Sequence, residues 1–189
     1  KFNWNGTNYS FYDDSLVLMM NFDNRSALGE NDTHVKDLSR YGNNGTALNG
    51  AQFDASGRYS GAYRYDNIDD TIEIKGSGAT GHPLDLVENF TLVAWIYPLS
   101  ENGTIISKRD GDNENLIQWQ FYIRQKGRLG ARAYSAEWVS SGEDNVSMNS
   151  WSHVVAVYNS KLIDPIIYLN GKKLTGSLAS GTFSSPHSN

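Results

Sequence analysis

Cysteine is absent from the 189 residues. That excludes disulfides, thiolate metal sites and cysteine nucleophiles. Long apolar runs are absent too. Runs such as Leu16 to Met20 are far too short to cross a bilayer as a helix. Basic charge is in deficit: 16 Lys+Arg stand against 21 Asp+Glu, a net charge of −5. Without a basic footprint, a nucleic-acid partner is disfavoured. No basic or apolar leader precedes Lys1-Phe2-Asn3-Trp4, which is the expectation for a mature or excised piece. Proline is scarce, at 4, whereas Gly reaches 18, Tyr 11 and Trp 5. Such a composition describes many turns between aromatic-rich strands.

What is present begins with asparagine. Eight Asn-x-Ser/Thr sequons occur, at Asn5, Asn8, Asn24, Asn31, Asn44, Asn89, Asn102 and Asn145. With 19 Asn and 30 Ser+Thr, chance supplies about three. The excess points to a glycosylated chain that is extracellular or displayed at the cell surface. Turn-rich composition alone also generates sequons, and Asn89, opening a strand, is expected to be crowded.

Short strand-like runs follow one another, with no convincing helix. Residues 15–22 are apolar on both alternating faces, as a buried sandwich strand would be. Further strands are expected over 46–53, 61–65, 71–75, 90–97, 104–108, 117–124, 128–134, 151–158, 166–170 and 172–175. In 90–97, Leu92, Ala94 and Ile96 share one face, and Val93, Trp95 and Tyr97 the other. Asn170-Gly171 is a strong hairpin signal, and Gln125-Lys126-Gly127 reads as a second turn. Strands at this spacing predict an all-β, two-sheet antiparallel sandwich. Residues 1–12 read as a lead-in and 13–189 as one domain, with no strand pattern after about 175.

Carboxylate chemistry finds no support. A retaining glycosidase needs two carboxyl groups about 5–5.5 Å apart on one surface, yet Asp70 and Glu73 are three apart and face opposite sides of an extended chain. No Gly-x-Ser-x-Gly elbow is present, and His34, His82, His153 and His187 are scattered. His153 shares a face with Trp151, Val155 and Val157, which reads as a structural sheet position. Oxygen-rich loops are the better ion candidates, because calcium takes several carboxylate, amide and carbonyl oxygens. Asp66-Asn67-Ile68-Asp69-Asp70 is one such loop, and Asp110-Gly111-Asp112-Asn113-Glu114-Asn115 is another. Both are equally ordinary as solvated turns. Asp23 and Asp37 are weaker ion candidates. Sugar contact would use exposed aromatic faces and planar amides. Trp138, in a loop-like stretch, leads Tyr134, Trp119, Asn113 and Asn115, although Trp119 alternates as a core residue. Gln118, Gln120, Tyr122 and Arg124 form a polar-aromatic strand face that lines a groove or meets water. Trp95 and Trp151 read as core.

In order, the stretches LVLMMNFDN (16–24), DLSRYGNNGTALNGAQF (37–53), GRYSGAYRYDNIDDTIEI (57–74), ENFTLVAWIYP (88–98), TIISKRDG (104–111), WQFYIRQKGRL (119–129), WSHVVAVYNS (151–160) and IYLNGKKL (167–174) resemble the laminin G-like, pentraxin-type jelly rolls of the concanavalin A-like lectin/glucanase superfamily. The resemblance implies a jelly roll and a non-catalytic module for recognition or adhesion that binds a glycan or a surface protein through loops at one rim. It also implies calcium ligation, with Asp69 and Asp70 as ligands, and Asp66, Asp110 and Asp112 nearby. The family's usual closing strands do not follow residue 175. The expectation is that they were cleaved, or come from another copy or segment by strand addition. Two alternatives remain: a structural subunit of a surface layer or filament joined by strand complementation, and a glycan-processing enzyme.

Overall fold

A computed structural model describes residues 2–9, 12–76, 81–86, 88–109, 117–133, 136–159 and 165–180. It divides into two compact units, residues 1–85 and 86–189.

The second unit is a sandwich. One sheet has five strands: β9 (Gly103–Arg109), β10 (Ile117–Arg124), β11 (Arg128–Ala133), β12 (Ala136–Ser140) and β16 (Gly176–Ser180), in the order β16-β12-β11-β10-β9. The other has four: β8 (Phe90–Ile96), β13 (Ser152–Tyr158), β14 (Ile166–Leu169) and β15 (Lys172–Lys173), in the order β15-β14-β13-β8. All pairings are antiparallel. Two-residue alternation decides what each strand buries. Ile117, Trp119, Phe121 and Ile123 of β10 point inward beside Leu129, Ala131 and Ala133 of β11. All of these but Ile117 meet Leu92, Val154, Ala156 and Ile167 of the facing sheet in one apolar core. Phe90 stacks on Tyr158 with ring centroids 4.3 Å apart. The Tyr158 hydroxyl donates to the Gln120 carbonyl at 2.9 Å, linking the two sheets through a buried polar group.

Turn chemistry sets the registers. Asn170 (φ 50°) and Gly171 (φ 82°) close the β14–β15 hairpin, and Lys126 (φ 66°) and Gly127 (φ 72°) close β10–β11. Both turns stand where the sequence places them. Two strands were not legible. Residues 136–140 form β12, which carries Trp138 into the core, and 176–180 form β16 beside it, a strand beyond residue 175. One face assignment is reversed: Trp95 is not core. Leu92 is buried, so Val93, Trp95 and Tyr97 face outward, all exposed. Trp95 lies opposite His153, with ring centroids 5.1 Å apart. Trp151 is half-buried and meets Tyr97 edge-on at 5.5 Å.

The first unit is built differently. It contains a hairpin of β1 (Phe2–Trp4) and β2 (Thr7–Tyr9), a sheet of β3 (His34–Val35), β4 (Gly45–Leu48) and β7 (Thr71–Glu73), and a hairpin of β5 (Gln52–Asp54) and β6 (Ala62–Arg64). The expected lead-in thus includes a hairpin turned at Asn5-Gly6, and the expected strand 46–53 is broken by a turn at Asn49-Gly50. The expected strand 15–22 has no ladder among the described residues. Its backbone is held by one main-chain bond, from the Leu38 N–H to the Met19 carbonyl at 2.7 Å, and by side chains. Asp37, 2% exposed, accepts the Met19 N–H at 2.9 Å, while Asn43 and Ser39 donate to the Val17 carbonyl at 2.7 and 3.3 Å. Apolar alternation marks a buried extended segment, but a ladder also needs a neighbouring strand in register.

Candidate functional site

The 66–70 loop follows β6 and leads into β7. Asn67 adopts a left-handed conformation (φ 66°), and the Ile68 N–H donates to the Asp66 carboxylate at 2.8 Å. These local bonds are the backbone reason for Asp and Asn here. The Asp66 N–H donates to Asp70 Oδ2 at 2.8 Å, and Asn49 Nδ2 donates to the Asp69 carbonyl at 2.9 Å. The result brings oxygens of Asp66, Asp69 and Asp70 within 4.8 Å of one another. Asp66 and Asp69 are exposed and Asp70 is half-buried. A cation between three carboxylates this close would offset their mutual repulsion.

Asp70 Oδ1 is buried and has no hydrogen-bond partner, so one carboxylate oxygen is shielded from water yet uncompensated. Gly50, at φ 122°, backs the same atom; a Cβ there would stand 2.8 Å from Asp70 Oδ1. Hard oxygen donors of this type suit calcium. Asp66, Asp69 and Asp70 are therefore brought together. Asp110, Asp112, Asn113 and Asn115 lie outside the described residues, as does Tyr134.

The weaker ion candidates already have partners. Asp37 accepts from the Ser39 hydroxyl at 2.6 Å and from the backbone N–H groups of Met19, Ser39 and Asn43 at 2.9, 2.9 and 2.8 Å. Burial raises its pKa, but these four bonds outweigh burial and hold the carboxyl below its ordinary value. Asp23 accepts from Asn21 and Gly61 and pairs with Arg25 at 3.4 Å.

The aromatic candidates need correction. Trp138 is 3% exposed, on β12 rather than in a loop, so its ring is packed in protein and cannot stack on a sugar. Its strand places half-buried Glu137 before three buried residues, Trp138, Val139 and Ser140, and is too short for a clear pattern. Trp119 is also 3% exposed and belongs to the core. Among the sequons, Asn5, Asn31, Asn89 and Asn102 are exposed, so Asn89 is not crowded. Asn24 and Asn44 are half-buried and bonded to Asp32 and Asp37, and Asn145 Oδ1 is buried without a partner. The side chain of Asn8 lies outside the described residues.

The polar face of β10 forms a second cluster. Tyr122 lies across Gly130, where a Cβ would run into its ring. Its hydroxyl donates to Glu137 Oε1, and Arg124 Nη1 reaches the same oxygen at 3.3 Å. Burial, then the bond to Glu137, pushes the Tyr122 pKa far above its ordinary value, so the phenol stays protonated. Arg132 sits between Gln120 and Glu137 in register and on their face. Glu137 and Arg132 were not singled out by the sequence, because their meeting with Tyr122 depends on a register across three strands.

Among the described residues, no helix is long and apolar enough to cross a membrane. No curated protein and no solved structure matches the chain. A laminin G-type family model described as the concanavalin A-like lectin/glucanases superfamily matches residues 69–189, which takes in the whole sandwich. With that match added to the all-β antiparallel architecture, the chain belongs to the concanavalin A-like lectin/glucanase superfamily.

Proposed function

We propose that this chain is a non-catalytic recognition module of a secreted or cell-surface glycoprotein, binding a glycan or protein partner beside a calcium ion held by the 66–70 loop. The observation that carries the reading is the convergence of Asp66, Asp69 and Asp70 on a buried, unpartnered Asp70 oxygen. Asp66, Asp69 and Asp70 would hold the ion. When bound, calcium supplies positive charge and open coordination positions for partner oxygens. Asn49 and Gly50 hold the loop in place, the first by its bond to the Asp69 carbonyl and the second by leaving room for Asp70. Family membership supports recognition by analogy, since fold alone does not fix function.

Calorimetric titration with calcium tests the ion. Binding is expected near the range of extracellular modules, about 10⁻⁴–10⁻³ M, and to be lost in Asp70→Asn; no heat from the unaltered chain refutes it. A glycan array with and without chelator tests recognition. Calcium-dependent spots support it, and silence under both conditions removes the glycan reading. Turnover across a polysaccharide panel would contradict the non-catalytic reading. The glycoprotein reading predicts a mass decrease on enzymatic deglycosylation of native material, with Asn102 and Asn89 among the modified sites.

A second reading, assembly by strand addition, is favoured by β8. Among the described residues it stands at the end of its sheet; it runs seven residues without proline or charge and exposes Val93 and Trp95. Natural edges are usually blunted by charge or proline. Native material that is strictly monomeric by light scattering would exclude it.

A further inference from the structure

We infer that the outer face of the five-stranded sheet carries a second site, independent of calcium, for a pyranose bearing a carboxylate. The site lies on β10–β12, around Tyr122, Arg132 and Gln120. It starts from a charge imbalance. Glu137 is occupied twice, by the Tyr122 hydroxyl and by Arg124. Arg132, directly opposite Glu137 in register and half-buried, makes no hydrogen bond or ion pair through its guanidinium among the described residues. Arg124 pairs with Glu137 while Arg132, its register neighbour, does not, which leaves local positive charge in a chain whose net charge is −5. A guanidinium offers a planar fork of donors that matches a carboxylate with two parallel bonds.

The neighbouring groups fit a sugar ring rather than a bare anion. Gly130 lets the Tyr122 ring lie against the sheet, and the Glu137 bond fixes its hydroxyl, so the aromatic surface is held in one orientation. Gln120 stands next to Arg132 on the same face, its amide steadied by the Thr104 hydroxyl at 2.8 Å. An immobilised aromatic, a planar amide and an unpaired guanidinium together suit an apolar ring face, ring hydroxyls and a carboxylate. Hexuronates and sialic acids share that chemistry. The inference uses the recognition reading only in taking a glycan as ligand; the 66–70 loop and its ion play no part.

Two-dimensional amide NMR of the full chain, titrated with defined sugars in the presence of chelator, tests this. The probes are an oligosaccharide alternating glucuronate with N-acetylglucosamine, its carboxyl-reduced counterpart, and 3′-sialyllactose. Shifts are expected on β10, β11 and β12 with at least one acidic probe, and whichever binds identifies the carboxylate source. The carboxyl-reduced sugar is expected to bind at least about tenfold more weakly, the loss of a charge-assisted contact. Arg132→Gln is expected to weaken the acidic probe by a similar factor while its spectrum stays that of the folded chain. Should that variant not fold, Arg132→Lys, which keeps charge but loses the fork, is expected to weaken binding severalfold. Binding by neither acidic probe, equal binding of the reduced sugar, unchanged affinity in the folded Arg variant, or shifts confined to other strands overturns the inference. Since chelator is present throughout, loss of the calcium reading leaves this result standing, and the converse also holds.

Discussion

The two units reach order by opposite means. In residues 86–189 the strands bury Phe121, Leu129, Val154 and Ile167 completely, and cohesion comes from apolar area removed from water. Among the described residues of 1–85 the buried hydrophobic ones are Val35 and Ala47, alongside the polar Asp37, Glu30 and Asn43. There, carboxylates take the place that side-chain packing holds in the sandwich. Asp37 gathers four donors, and Glu30 accepts the Arg25 and Lys36 N–H groups at 2.7 and 3.2 Å. Hydrogen-bonded geometry of this kind places oxygen atoms accurately, which is what an ion loop requires. The difference teaches that the sandwich depends on cavity-free packing and the first unit on carboxylate hydrogen bonds, so that cavity formation attacks the one and acid, through Asp37, the other.

The contrast can be broken most forcefully in the core. Phe121→Ala removes a fully buried ring and is expected to cost about 3–5 kcal/mol, seen as a large drop in the sandwich's melting temperature. Asp37→Ala leaves several backbone donors without an acceptor; the expected loss is about 2–4 kcal/mol, read by hydrogen exchange over residues 17–19 and 37–43. Acid should reproduce that loss. Because the folded pKa of Asp37 lies below its unfolded value, its contribution is complete above about pH 4 and disappears as pH falls through the depressed folded value. Circular dichroism along an acid titration should show the first unit failing while the sandwich persists. Gly50→Ala puts a methyl against Asp70 at a positive φ and should cost about 1–2 kcal/mol. At the small end, Lys172→Ala removes an exposed ion pair with Asp144, and a change within about 1 kcal/mol is expected by denaturant melting.

This difference also explains what the sequence disclosed. Strand β10 announces itself because burial imposes a two-residue period, β8, β13 and β14 do so as short β-branched and aromatic runs between turn signals, and Asn170-Gly171 fixes its hairpin locally. The same signal at Asn5-Gly6 was there to be read, but the flanking residues lack apolar alternation. In 90–97 both faces are apolar, so periodicity could not decide that Trp95 turns outward. Residues 176–180, GSLAS, are too small and polar to show a period, and become β16 through pairing with β12. Asp66, Asp69 and Asp70 were visible as a density of oxygen ligands. Gly50 was not, because it comes to Asp70 from a turn about twenty residues earlier. Trp138 was misplaced for a similar reason: its burial is decided by Ala131 and Leu178, its partners on neighbouring strands.

Amide hydrogen exchange of the intact chain, with and without saturating calcium, tests the division most directly. Added protection confined to residues 49–50 and 66–70, with exchange in β10, β11 and β13 unchanged, is the predicted result. No change in that loop, or protection gained mainly in the sandwich strands, would contradict it.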